Sequence, residues 1–77
     1  MAKIVFIGAG SLGFTRGLVR DLLTFPRFQD ATFGLVDIHP GRLEMARQSC
    51  VKLIKEGGHA AKVEASTDRR KLLRGAD

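Results

Sequence analysis

The chain has no tryptophan or tyrosine, one cysteine and two prolines in 77 residues. Each scarcity excludes something. Without Trp or Tyr, the usual stacking platforms for single-stranded nucleic acid are scarce. A single cysteine, Cys50, cannot build an internal disulfide framework, which fits a reducing compartment. No apolar run approaches the ~20 residues that a membrane-spanning helix needs. Met1-Ala2-Lys3-Ile4 leads straight into the first apolar segment and leaves no room for a signal peptide. The expected setting is the cytoplasm, with no membrane and no nucleic acid as partner.

Acidic residues are also few. Eight Asp and Glu stand against thirteen Lys and Arg, for a net charge of +5 and a pI near 10.2. An anionic partner such as a nucleotide phosphate would explain this. So would acids in a longer chain that balance the count. The basic residues are spread out, and the densest group is Arg69-Arg70-Lys71 with Arg74. The length is below the ~100–150 residues of a usual domain, so residues 1–77 are expected to be part of one. A chain this short buries only roughly 60% of its unfolded surface, which predicts marginal stability.

Apolar spacing then gives a β-α-β-α-β-α pattern. Lys3–Ile7 reads as a strand with apolar residues on both faces, as a covered parallel sheet requires. Ser11 to about Thr24 reads as a helix, with Phe14, Leu18, Val19, Leu22 and Leu23 at helical spacing and Pro26 ending it. Ala31–Asp37 is a second strand. Pro40-Gly41 turns the chain into a helix over Arg42–Glu56, with Leu43, Ala46, Cys50, Leu53 and Ile54 on one stripe. Pro40 suits its first turn, and Gly57-Gly58 a left-handed stop. Lys62–Ala65 is a third strand, and Thr67 or Ser66 is expected to cap a last helix over Asp68–Arg74. Alternating strands and helices imply a doubly wound parallel sheet of the Rossmann type, here its N-terminal half ending before strand 4. In the order 3-2-1-4-5-6, strand 1 then has an open apolar edge, which predicts self-association.

The chemistry is concentrated in Gly8-Ala9-Gly10-Ser11-Leu12-Gly13, a G-x-G-x-x-G turn between a strand and a helix. Gly8 permits the tight turn, Gly10 lets the backbone approach a pyrophosphate, and Gly13 lets the helix pack close to the strand. Bare N–H groups and roughly half a positive charge of helix dipole face the same point. Ser11 offers a hydroxyl to a phosphate oxygen. Asp37 ends the second strand, 24 residues past Gly13, where an acid accepts hydrogen bonds from the adenosine ribose. A 2′-phosphate about 5 Å from that carboxylate would cost roughly 3 kcal/mol per unit charge at an effective dielectric near 20, so NAD is favoured over NADP. Two alternatives stay open: Asp37 merely caps the following turn, or Arg42 offsets it and admits NADP.

The other candidates have plainer readings. Ser66-Thr67-Asp68 borders the expected adenine pocket but suits a helix cap at least as well. His39 is within reach of a ribose but reads more readily as an exposed turn residue, and His59 reads as a loop residue. Cys50 sits on the apolar stripe as a small core residue. No Cys/His pair has metal-ligand spacing, and nothing places a base near Ser11.

Several segments together resemble the N-terminus of glycoside hydrolase family 4, in its α-galactosidase and α-glucosidase branch. They are Lys3 to Ser11, Phe14, Leu22-Leu23-Thr24-Phe25-Pro26, Val36 to Pro40 with Arg42-Leu43-Glu44, and Gly75-Ala76-Asp77. His39 departs from the acid common at that position in the family. The resemblance implies an NAD- and divalent-metal-dependent glycosidase, usually with manganese. In that family, NAD takes a hydride from the sugar's C3, elimination breaks the glycosidic bond, water adds and the hydride returns. The substrate implied is a small-molecule glycoside. Only Gly8, Gly10, Ser11, Gly13 and Asp37 match the family's functional positions, all as cofactor contacts. The metal ligands and the catalytic base would lie beyond residue 77, leaving the 77 residues inactive alone. A lactate/malate-dehydrogenase-like half-fold and a non-catalytic nucleotide-binding fragment are the alternatives. Ser11, Phe14 and the Asp37-Ile38-His39-Pro40 turn argue against the dehydrogenase.

Overall fold

The computed structural model describes residues 2–10 and 12–73. Its elements run β1 (Lys3–Ile7), α1 (Leu12–Leu22), a 3-10 turn (Pro26–Phe28), β2 (Thr32–Val36), α2 (Pro40–Gly57), β3 (Lys62–Ser66) and α3 (Arg69–Leu73). The strands form one parallel sheet with β2 between β1 and β3. This is the N-terminal unit of a Rossmann-like fold, in the spatial order expected from the sequence.

Burial follows from that order. β2 is flanked on both sides, and Phe33 and Leu35 are fully buried. β1 is an edge among the described residues, so its apolar side chains are only half-buried and Ile7 is 59% exposed. Continuous hydrophobicity in β1 thus predicted more cover than the strand receives. Side chains alternate along each strand. Phe33 and Leu35 face the core with Val19, Ala46 and Cys50, and Phe6 stacks on Phe33 with ring centroids 6.3 Å apart. Gly34 and Val36 point the other way. There Leu72 of α3 covers Gly34, where an added Cβ would stand 3.5 Å from Leu72 Cδ1. Helices α1 and α2 therefore share one face, and α3 begins to cover the other.

Helix limits shift by one or two residues. Helix α1 closes at Leu22, not Thr24. Thr24 and Phe25 donate backbone bonds to Asp21 and Leu22, and these i−3 bonds tighten the last turn. Helix α2 starts at Pro40 and ends on Gly58 at φ +66. The His59 N–H bonds the Ile54 carbonyl at 3.1 Å and completes a Schellman stop. The apolar stripe of α2 packs as expected, with Leu43, Ala46, Cys50 and Ile54 buried.

The stripe of α1 holds at Val19 and Leu23, which are buried, and at Leu18 and Leu22, which are half-buried, but not at its head: Phe14 is 69% exposed and Thr15 is buried in its place. The spacing 15-19-23 is as helical as 14-18-22, and a polar residue at its head concealed it. The cap of α3 also differs. Asp68, not Thr67 or Ser66, is its N-cap, with Oδ1 accepting the Arg70 N–H at 3.0 Å. Ser66 Oγ instead accepts the Asp68 N–H at 3.0 Å. Arg74 and the Gly75-Ala76-Asp77 ending lie outside the described residues.

Candidate nucleotide-binding site

Parallel strands in register end together. Ile7, Val36 and Ser66 are aligned, so the loops after them share one rim of the sheet. That carboxyl-terminal rim is where open α/β sheets bind ligands.

The glycine turn is fastened to this rim from three sides. Gly8, at φ +79, bends the chain out of β1. Its N–H and that of Ala9 both donate to the Val36 carbonyl, at 2.8 and 2.9 Å. Ala9 turns its methyl into the core and is 1% exposed. The hydroxyl of Thr15, 2% exposed, donates to the Ala9 carbonyl at 2.9 Å. Thr15 was no candidate in the sequence. Its one signal is the four-residue spacing from Val19.

The third fastening is Asp37. Its Oδ2 accepts the Gly10 N–H at 2.7 Å, and its Oδ1 accepts the His39 N–H at 2.9 Å. Those two bonds, His39's foremost, hold the carboxyl below its ordinary range, and the charges of His39 and Arg42 add smaller pulls. Asp37 thus caps its own turn and also faces the glycine turn, 27 residues away.

This geometry gives Gly10 a reason of its own to be glycine and offers no packing reason for Gly13. Gly10 lacks a Cβ because Asp37 occupies the space: a Cβ there would stand 2.6 Å from Oδ2 and 3.0 Å from Arg42 Cβ. Gly13 is exposed, and a Cβ on it meets nothing within 4 Å, so close helix–strand packing is not what calls for glycine there. The backbone groups open to a ligand also differ from expectation. The N–H groups of Gly8, Ala9 and Gly10 are already bonded. By helix geometry, the first-turn N–H groups of α1 have no partner within the helix and point at the same rim. Ser11 lies outside the described residues.

Beside the turn is a cavity of about 340 Å³ lined by Ile7, Gly8, Val36, Asp37, Ile38 and Arg69. Small-molecule pockets begin at about 300 Å³, so it suits one nucleoside better than a whole dinucleotide. A larger hollow of about 1060 Å³ lies at the opposite, amino-terminal rim, between the 3-10 turn and the α2–β3 loop. That rim carries Asp30 and the Gly57-Gly58 helix stop but no strand-to-helix glycine turn, and the smaller cavity is the one beside Gly8 and Asp37.

The remaining candidates do not converge. His39 is exposed, and the His59 ring lies against Gly57 at the other rim. Cys50 is fully buried, and desolvation raises its thiol pKa. Among the described residues no three His, Cys, Asp or Glu side chains group to hold a metal, and no helix is long and apolar enough to cross a membrane.

Comparison with known proteins shows the family. The model of the family 4 glycosyl hydrolases matches residues 3–77. An alpha-galactosidase of Rhizobium meliloti (strain 1021) is 40% identical over 74 residues, 96% of this chain and 15% of the relative. An alpha-glucosidase of Erwinia rhapontici is 33% identical over 75 residues, 97% of this chain and 17% of the relative. The chain therefore spans about a sixth of the curated relatives it matches. A family match from the first strand to the last residue, with two glycosidases similar along nearly all of it, places the chain in family 4 of the glycosyl hydrolases.

Proposed function

We propose that residues 1–77 are the nucleotide-binding segment of an α-glycosidase that uses NAD. One observation carries this reading: the Asp37 carboxylate stands at the end of β2, 2.7 Å from Gly10 N and beside a nucleoside-sized cavity. Glycine turn, acid and cavity share the rim that dinucleotides use in this kind of sheet.

Each part of the chain has a task. The first turn of α1 receives the diphosphate through its N–H groups and dipole, with Ser11 at its head. Asp37 accepts the ribose hydroxyls and disfavours a 2′-phosphate by charge. Ile7, Val36 and Ile38 give the base apolar walls, and Arg69 closes one side. When NAD is bound, its nicotinamide would supply hydride abstraction from the sugar and hydride return. These residues would hold its adenosine and diphosphate and so orient it.

A divalent metal, manganese by the family resemblance, belongs to the proposal only for a whole protein. The residues here do not supply its site. The substrate proposed is an α-galactoside or α-glucoside, after the names of the two relatives. A cytoplasmic setting fits a chain that needs NAD.

The test uses the whole protein that carries this segment, stripped of nucleotide. Turnover of α-galactosides and α-glucosides should return on adding NAD and should not appear with the 77 residues alone. Full turnover without nucleotide would refute the reading.

A further inference from the structure

Asp37 makes two backbone hydrogen bonds that ribose recognition does not require. One carboxylate ties the glycine turn to the β2–α2 turn, through Gly10 N–H at 2.7 Å and His39 N–H at 2.9 Å. The fit is mutual, since a Cβ at residue 10 would stand 2.6 Å from Oδ2. The glycine makes room for the acid, and the acid fixes the glycine. Resting on the NAD reading above, we propose that Asp37 is also a positioning residue: its carboxylate clamps the two turns together and so sets the first turn of α1 for the diphosphate.

The chemistry of the group supports a double task. An ionised carboxylate has about four acceptor positions, so two remain for ribose hydroxyls after the clamp is made. Asparagine cannot replace it. Its amide has one acceptor oxygen and one donor nitrogen, so either orientation sets an NH2 against the Gly10 or the His39 N–H. Bonds from N–H groups to a charged acceptor are also the stronger kind.

The clamp and a ribose-only role differ in sign for a ligand that has phosphates and no ribose. Removing a negative charge beside an anion site, by itself, strengthens anion binding. Losing the clamp weakens it, because α1's first turn is no longer held in place. Inorganic pyrophosphate is the probe. Measured at about 1 M salt, where a Debye length of about 3 Å screens the lost charge, Asp37→Asn is predicted to bind pyrophosphate about tenfold more weakly, the loss expected for one charge-assisted hydrogen bond. Unchanged or tighter binding would overturn the proposal.

A second measurement needs no nucleotide, and its main readout needs no variant. Among the described residues, the charged groups around the carboxylate are His39 on its own turn, Arg42 on α2 and Arg69 of α3 on the shared cavity wall. None of these is a carboxyl group. In the unliganded protein, the amide resonances of Gly10 and His39 should therefore shift together with pH. They should share a single acid midpoint below the ordinary carboxylate range, and both transitions should vanish in Asp37→Asn. A Gly10 amide that does not titrate overturns the clamp, even if the variant fails to fold. Failure to bind NAD with the co-titration intact would refute the nucleotide reading instead and leave the clamp standing.

Discussion

At the residue scale, Thr15 does more than its residue type suggests. Its hydroxyl is buried and bonds the carbonyl of the buried Ala9, so it joins α1 to the glycine turn. Thr15→Val keeps the shape and removes the donor, leaving that carbonyl unpaired. A net hydrogen bond is worth about 1 kcal/mol, and an unsatisfied buried partner costs about 1–3 kcal/mol. Urea denaturation should therefore show a loss of about 1–2 kcal/mol, and an unchanged midpoint would contradict the role. Glu44 allows a pH test. Hydrogen bonds from Arg47 at 2.6 and 2.7 Å and from Gln48 lower its pKa from 4.5 to about 2. A depressed carboxyl contributes stability above its unfolded value and loses it as pH falls through its folded one. The contribution should be complete above about pH 4.5 and fade towards pH 2. It should be small, because the pair is exposed and screened. Equal acid sensitivity of the Glu44→Gln variant and the parent across that window would contradict it.

At the element scale, α3 rests on a glycine. Gly34 lies in the central strand, and a Cβ there would stand 3.2 Å from Val5 Cγ2 and 3.5 Å from Leu72 Cδ1. Gly34→Ala should press on Val5 of β1, the tighter contact, and leave Leu72 at ordinary van der Waals distance. Overpacking costs about 1–3 kcal/mol, partly offset by the smaller unfolded-state entropy of alanine. The expected sign is destabilising, with faster amide exchange along β1. A stabilised protein with unchanged exchange there would refute the contact. The same elements show which features the sequence reveals. The stripe of α2, the parallel strands and their order, and Asp37 at the end of β2 follow from local spacing and turn residues. Three features do not. The choice between Phe14 and Thr15 as the buried side of α1 depends on how the helix sits on the sheet. The cover over Gly34 depends on where α3 returns. The bond from Gly10 to Asp37 joins residues 27 apart and needs the sheet register to bring them together.

At the scale of the whole molecule, the cover is uneven. The radius of gyration is 11.2 Å, close to the ~11.5 Å of a compact chain of this length. Yet the shortest dimension is 15 Å, and among the described residues one face of the sheet carries only the five residues of α3. The β1 edge is open among the described residues, with Ile7 59% exposed beside it. Unpaired backbone on an apolar edge is a template for another strand. A polypeptide of residues 1–77 should therefore self-associate with rising concentration in sedimentation experiments. A sharp thermal transition of a monomer in dilute solution would contradict this. In a protein as long as the relatives, further chain would supply the cover.

The central claim is that the glycine turn and Asp37 together form a site for NAD. Its most direct test is the affinity of the whole protein for NAD and for NADP, measured side by side by calorimetry at one ionic strength. The repulsion between a 2′-phosphate and the Asp37 carboxylate, roughly 3 kcal/mol before screening, predicts NAD tighter by at least tenfold. Tighter binding of NADP, or binding of neither, would contradict the account.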